Sequence, residues 1–435
     1  MKKPYLKKIM ASIAILAIMS SFTACAGGGE DDVAVSTAEN PVVVEQAVEE
    51  TPAPTPEVTE EPVEATPVPT EEPAPEVSEE SAVEAADTSA ESGKLPVANM
   101  SETDEKEENK KVLPPKPQGA KIPNEKTNLL TGEDTLTKEA QGKRSVAVMV
   151  NNIKNCLPQY GISAADVVYE VPVEYDITRL MCVYGDYTQV PEMCSIRSCR
   201  YYYPILAVGM DSIYIHWGLD MTVAKDTLER LENDHIDGDT GAYGLFGRDQ
   251  DKLDEGYALE HTSTLDGPAL PAAFEEAGFR TDIEENYYKD TLFQFSEEPV
   301  VANGEECYEA TVAFSSEYYS TFNYNADDRK YYKQHSGNPH MDARSGEQLK
   351  FDNVLVLETE VGMLPDDTSG RRKIEVNQKD ARGYLLTGGY IQEIKWTKNS
   401  DFEKIVITDL KDNPVLLNTG KTYIAICNPD SLYVE

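Results

Sequence analysis

The sequence predicts an α/β (α+β) fold: a layered mixed sheet with helices in an N-terminal domain, and a β-rich C-terminal domain packed on it. Three observations point there. Helical and strand periodicities alternate between about residues 145 and 277, strand periodicity takes over from about residue 311, and 23 of the 24 tyrosines and both tryptophans lie beyond Asn124. A chain of 435 residues has room for two or three domains of ~150 residues. The composition divides it into a leader (residues 1–25), an acidic tether (26–124), an α/β domain (125–305) and a β-rich domain (306–435).

The leader places Lys2, Lys3, Lys7 and Lys8 before an apolar run from Ile9 to Met19. That run is too short to cross a ~30 Å hydrocarbon core as a helix, which makes it a signal peptide. Phe22-Thr23-Ala24-Cys25 resembles a bacterial lipobox, with Phe22 in place of the usual Leu. On that reading Cys25 carries a diacylglycerol with palmitate-type chains and anchors the mature chain to the extracytoplasmic face of the cell membrane. The alternative is an ordinary secretory signal with an incidental cysteine. Residues 26–93 hold 19 acidic residues, nine prolines and no Lys, Arg or aromatic residue. Such a stretch buries too little apolar surface to offset its ordering entropy and repels itself, so it reads as a disordered tether. With the mixed-charge stretch up to Asn124, its mean reach is ~50–60 Å. A net charge of −39 excludes general affinity for nucleic acid, which needs a basic surface.

Beyond Asn124, Ser145 to Val150, Asp166 to Val171, Ile177 to Tyr184 and Asp211 to Trp217 are apolar, β-branched runs bounded by turn residues, hence strands. Tyr201 to Val208 and Met221 to Leu231 read as helices; in the second, Ala224, Leu228 and Leu231 share one face and Asp220 is placed to cap the start. Asp266 to Ala277 is a third, with Pro268 in its first turn and Gly278 past its end. The C-terminal strands are expected at 311–315, 321–325, 354–358, 373–376, 384–387, 391–396, 405–408 and 423–427, punctuated by glycine turns.

Several phrases then stand out in order: Ser145-Val-Ala-Val-Met-Val-Asn151-Asn152, Leu157-Pro158-Gln159-Tyr160-Gly161, Ala165-Asp166-Val-Val-Tyr169-Glu170 and Glu174. Farther on come Ile177-Thr178-Arg179, Ile196-Arg197-Ser198-Cys199-Arg200, Tyr214-Ile-His216, Gly337-Asn-Pro339-His340-Met-Asp342, Gly346-Glu-Gln-Leu349, Asp352-Asn353-Val-Leu, Gly370-Arg371-Arg372 and Gly420-Lys421-Thr422. Over roughly residues 125–435 the chain resembles the YerB-like family of bacterial lipoproteins. The resemblance implies a layered α/β first domain and supplies no mechanism. Tyr175 stands where that family commonly has Gly, and Cys199 where it usually has Ala.

The chemistry is concentrated around Arg197-Ser198-Cys199-Arg200, before the helix opening at Tyr201, with Arg179 on the preceding strand. Three guanidiniums beside a helix start suit a ligand anion; alternatively they pair internally with Glu170 and Glu174. Asn151 and Asn152 close the first strand, where α/β sheets meet ligands, or they form a turn pair. His216 ends another strand, either as a core histidine or as an acid or base. The five histidines show no zinc spacing, and Asp237-Gly-Asp239 lacks the distal Glu of a calcium loop, so neither metal nor cofactor is expected. Gly420-Lys421-Thr422 reads as a hairpin turn. Without Cys25, six cysteines remain, of which Cys194 and Cys199 are the closest possible disulfide pair; the alternative is that they stay reduced. These readings together describe a membrane-anchored binding or scaffold protein, non-catalytic, that recognises an anionic cell-wall polymer or an envelope protein. The alternative is a wall-active hydrolase or transferase using Glu170 or Glu174 with His216.

Overall fold

The computed structural model describes residues 117–435, apart from 286 and 288–291. These residues fall within one compact unit, Thr103–Glu435. The expected signal peptide, Cys25 and nearly all of the expected acidic tether lie outside the described residues.

In chain order the main elements of the first half are β1 (Val146–Asn151), β2 (Val167–Pro172), β3 (Thr178–Tyr184), α1 (Tyr202–Val208), β4 (Ile213–His216), α2 (Val223–Leu231), β5 (His235–Asp237) and α3 (Leu270–Ala277). The second half adds β6 (Glu309–Ala313), β7 (Tyr319–Asn325), β8 (Lys330–His335), β9 (Asn353–Glu358), β10 (Ala381–Thr387), β11 (Tyr390–Thr397), β12 (Thr422–Cys427) and β13 (Leu432–Val434). Every residue of β1, β2, β3, β9 and β12 is buried, as their largely apolar runs suit strands covered on both faces. Asp220 behaves as the sequence suggests, accepting from the Ala224 N–H at 3.1 Å and holding the first turn of α2. Gly278 closes α3 in the left-handed region, at φ +69°.

One mixed sheet of 11 strands runs through both halves in the order Glu305–Glu306, β11, β10, β9, β12, β2, β3, β1, β4, β5, with Val406–Thr408 beside β11. The halves meet where β2 pairs in parallel with β12, Val167 opposite Thr422 and Glu170 opposite Ala425. The C-terminal strands therefore extend the N-terminal sheet as well as packing on it. A second, antiparallel sheet of six strands includes β8, β7, β6 and β13 in that order. It covers one face of the large sheet together with α3, through Val312, Phe322, Tyr331 and Phe274 against Val168, Leu180, Val356 and Ala425. Helices α1 and α2 cover the other face, through Tyr203, Leu206 and Leu228 against Met149, Met181 and Tyr214. Full burial of such side chains stabilises the fold by ~1.5–3 kcal/mol each. Among the described residues no helix is long and apolar enough to cross a membrane.

Gly420-Lys421 is a turn, but not one in a hairpin. It feeds β12, which runs parallel to both of its neighbours, β9 and β2.

Candidate functional site

Strands β1, β4 and β5 are parallel, and the carboxyl ends of such strands are where open α/β sheets gather polar groups. Here a connecting segment wedges into that edge. The Arg197 N–H donates to the Met149 carbonyl at 3.1 Å, the Trp217 N–H to the Arg197 carbonyl at 3.0 Å, and the Cys199 N–H to the Gly218 carbonyl at 2.8 Å. Arg197 and Ser198 thus sit in the fork between β1 and β4. Gly218 lets Ser198 and Asp239 close in. It has φ +80°, and a Cβ there would lie 3.2 Å from Ser198 Oγ and 3.1 Å from Asp239 Oδ2.

The three arginines have different fates. Arg179 is buried, donates to the Ser198 carbonyl at 2.6 Å and pairs with Glu174 at 3.3 Å. Arg200 grips the other oxygen of Glu174 and donates to the Cys199 carbonyl at 2.6 Å. Burial, then the neighbouring Arg200 charge, pulls the Arg179 guanidinium down to about 10. Glu174 alone receives both cations, and Glu170 receives neither. Arg197 stands apart. It donates from one terminal nitrogen to the Glu260 carbonyl at 3.1 Å, while its Nε is buried without a hydrogen-bond partner. Ser195 Oγ, two residues earlier, is also buried and unpartnered. Burial, opposed by Glu260 and Glu174, leaves the Arg197 guanidinium below its ordinary value. Nearby, His261 lies 3.2 Å from Asn151 Nδ2, and the buried Lys252 ammonium donates to the carbonyls of Cys156 and Pro158 at 2.9 and 2.8 Å.

Glu170 lies elsewhere, between the two sheets, in a closed ring of side chains. Its Oε2 is 3.2 Å from Lys333 Nζ; Lys333 donates to His340 Nδ1 at 3.0 Å, and His340 Nε2 donates to Gln159 Oε1 at 2.9 Å. Gln159 Nε2 donates to Asn152 Oδ1 at 3.3 Å, and Asn152 Nδ2 returns to Glu170 Oε1 at 3.0 Å. The directions around this ring fix His340 as the neutral Nε2–H tautomer. Thr178, Ser320 and Tyr423 donate to the same carboxylate at 2.8, 2.8 and 2.7 Å. Burial alone would raise Glu170, but Lys333, His335 and these hydroxyls hold it below the usual carboxylate range. Burial pushes Lys333 down and Glu170 opposes it; five contacts to one carboxylate make this an ion pair. His335, 5.3 Å from the His340 ring between centroids, keeps both ring nitrogens without a hydrogen-bond partner.

Asn152 is therefore a core residue of the seam, and Asn151 is tied to His261. His216 is fully enclosed. One ring nitrogen meets the Gly218 carbonyl at 2.9 Å and the other His235 at 3.0 Å, and burial pulls its pKa down to about 4. Glu170, Glu174 and His216 thus occupy three separate networks and do not form the acid–base constellation that the wall-enzyme alternative requires. Helix α1 has seven residues, and Arg200, two residues before its start, is already bound to Glu174, so that start is not an open anion cradle. All six cysteines from Cys156 to Cys427 are free and buried, Cys194 and Cys199 included. Burial pushes the thiols of Cys156, Cys194 and Cys199 up to about 12, which keeps them unreactive. Asp237, in the acidic loop, accepts from the N–H groups of Gly218 and Asp239 at 2.7 and 3.0 Å.

A family model described as "Protein of unknown function (DUF3048) N-terminal domain" matches residues 130–280, and the corresponding C-terminal domain model matches residues 310–424. The Bacillus subtilis (strain 168) protein named "Putative lipoprotein YerB" is 30% identical over 302 residues, 68% of this chain and 85% of that protein. The chain belongs to the YerB-like, DUF3048 family. The crystal structure of YerB from Bacillus subtilis is similar with a TM-score of 0.59 at 25% identity, covering 70% of this chain and 98% of that one. The mixed α/β architecture with its sheet-rich C-terminal region is thus that of the YerB-like family.

Both DUF3048 halves build the ring around Glu170. Asn152, Gln159, Glu170 and Thr178 come from the first, and Ser320, Lys333, His340 and Tyr423 from the second. Tyr175 takes φ +44°, the left-handed region in which glycine is unstrained. In the sequence Asn152 and Glu170 stand out as candidates, His340 appears only within a family phrase, and Lys333 and His335 carry no mark. The available signal was Glu170 itself, a charge inside an apolar strand that had to find a buried cation.

Proposed function

We propose that this protein is a lipid-anchored envelope protein that binds an anionic group of a wall polymer or an envelope partner, at the carboxyl edge of β1 and β4, without catalysing a reaction. The observation that carries the reading is Arg197, whose Nε is buried and unpartnered in the fork between the strands. A buried donor left unsatisfied costs ~1–3 kcal/mol, and a ligand carboxylate or phosphate oxygen would supply the missing acceptor. Ser195 Oγ offers a second open hydrogen-bonding group on the same segment. Arg179 and Arg200 position the segment through Glu174 and the Ser198 and Cys199 carbonyls rather than reaching a ligand. The anchor rests on the lipobox phrase ending at Cys25 and on the lipoprotein name carried by the relative.

The test uses the full chain. Arg197→Glu is expected to weaken binding to phosphate-bearing wall fragments at least tenfold, with the circular dichroism spectrum and thermal midpoint close to those of the parent. Cys25→Ser is expected to move the protein out of the membrane fraction. Unchanged binding by a folded Arg197→Glu variant would refute the site, and membrane retention of Cys25→Ser would refute the anchor.

A further inference from the structure

Away from the Arg197 fork, at the amino ends of β2 and β12, the two halves enclose a second polar site. The turn at Gly420-Lys421, the segment Ile162–Ala165 and the short strand Lys350–Phe351 line a cavity of about 220 Å³. At ~30 Å³ per water, that is the volume of about seven waters, enough for a small dipeptide. Three lysines and three carboxylates face it: Lys330, Lys350, Lys421, Glu133, Glu347 and Asp352. The whole chain has 78 acidic residues to 39 basic ones, so this even balance is a local enrichment in cations.

Some of these charges are already committed. Lys330 pairs with Asp352 at 2.6 Å, Asp352 also accepts from the Lys421 N–H at 2.8 Å, and Lys421 Nζ donates to the Ser163 carbonyl. Others are open. Neither Glu133 nor Glu347 has an ion pair or side-chain hydrogen bond among the described residues. The Lys350 ammonium rests only over the Tyr332 ring, 5.8 Å from its centroid, and Lys421 retains two N–H groups beyond its bond to Ser163. Desolvation, then Asp352, raises Glu133, and desolvation lowers Lys421. Lys330 and Lys421 oppose the first shift, and Asp166, Glu347 and Asp352 the second, but burial outweighs them in both. The buried side chains of Ile162, Leu349 and Phe351 also line the cavity.

We propose that this cavity binds a small zwitterion of dipeptide size, its ammonium held by Glu133 and Glu347 and its carboxylate by Lys350 and Lys421. A plain anion meets two unpaired carboxylates here, and a plain cation meets the lysines; only a ligand carrying both charges satisfies both ends. The site shares no residue with the Arg197 fork.

The experiment titrates the full chain with alanylalanine by calorimetry, beside N-acetyl-alanylalanine, alanylalanine amide and inorganic phosphate. Alanylalanine is expected to bind, and each blocked form to bind at least tenfold more weakly. Glu133→Gln, at an exposed position, and Lys350→Met, at a half-buried one, are each expected to weaken alanylalanine at least fivefold, whereas Arg197→Glu leaves it unchanged. No heat from alanylalanine at millimolar concentration overturns the proposal. So does equal binding of the blocked dipeptides, or phosphate binding that Glu133→Gln leaves intact.

Discussion

Glu170 shows how one residue can be required without being accessible. Its carboxylate takes contacts from Lys333, Ser320, Tyr423, Thr178 and Asn152, and the residue is completely buried. Two opposite charges in such a place gain stability only as a pair, because either one alone keeps the cost of leaving water. Lys333→Met and Glu170→Leu are each expected to lower the urea unfolding free energy by ~3–5 kcal/mol at pH 7, and the double variant to lose less than the sum of the two. Strict additivity would show that the two side chains do not interact. In the sequence, Glu170 is visible as a charge in an apolar strand. Its partner is not, because a lysine 163 positions later looks like any solvent-facing lysine.

At the scale of elements, strands buried on both faces were the most legible. β1, β2, β9 and β12 are predominantly apolar runs, and the structure finds them within a residue or two of where the sequence suggests. Strand β8 was not legible. Its sequence, Lys-Tyr-Tyr-Lys-Gln-His, lacks an apolar alternation, because the inward positions after Tyr331 are Lys333 and His335. The polar groups that serve the seam removed the signal that marks a strand. The approach to β12 depends on Gly420, at φ +120°, where an added Cβ would come within 2.1 Å of Asp352 Oδ2. Gly420→Ala is expected to cost ~2 kcal/mol or more in thermal or urea unfolding, from the strained backbone and the displaced carboxylate. A loss of a few tenths would mean that the turn can relax.

At the largest scale, residues 117–435 are built as one body, since β2 and β12 are hydrogen-bonded neighbours from different halves and the Glu170 ring draws on both. All five histidines lie below their ordinary value, burial being the first cause each time, with His216 and His335 pulled down to about 4. A histidine with a depressed folded pKa binds fewer protons folded than unfolded. Its contribution is complete above the unfolded value of ~6.5 and is lost as pH falls toward 4, at up to about 1.4 kcal/mol per pH unit for each group. Urea unfolding is therefore expected to be a single transition whose midpoint drops steeply between pH 7 and pH 5, less so in His335→Gln. Two separate transitions, or a midpoint indifferent to pH in that window, would contradict this architecture.

By itself the sequence determined the α/β class, the buried strands and the capped helices, and it carries the lipobox-like phrase ending at Cys25 and the acidic stretch after it. Those features rest on local periodicity, composition and short phrases that a linear reading contains. Only the tertiary structure decided which charges meet: Glu174 rather than Glu170 takes Arg179 and Arg200, Lys333 answers Glu170, His216 closes on His235, and Arg197 keeps an open donor. Pairing depends on which strands lie side by side. β2 beside β12, with β8 stacked over them, is a contact between distant parts of the chain that no local pattern encodes.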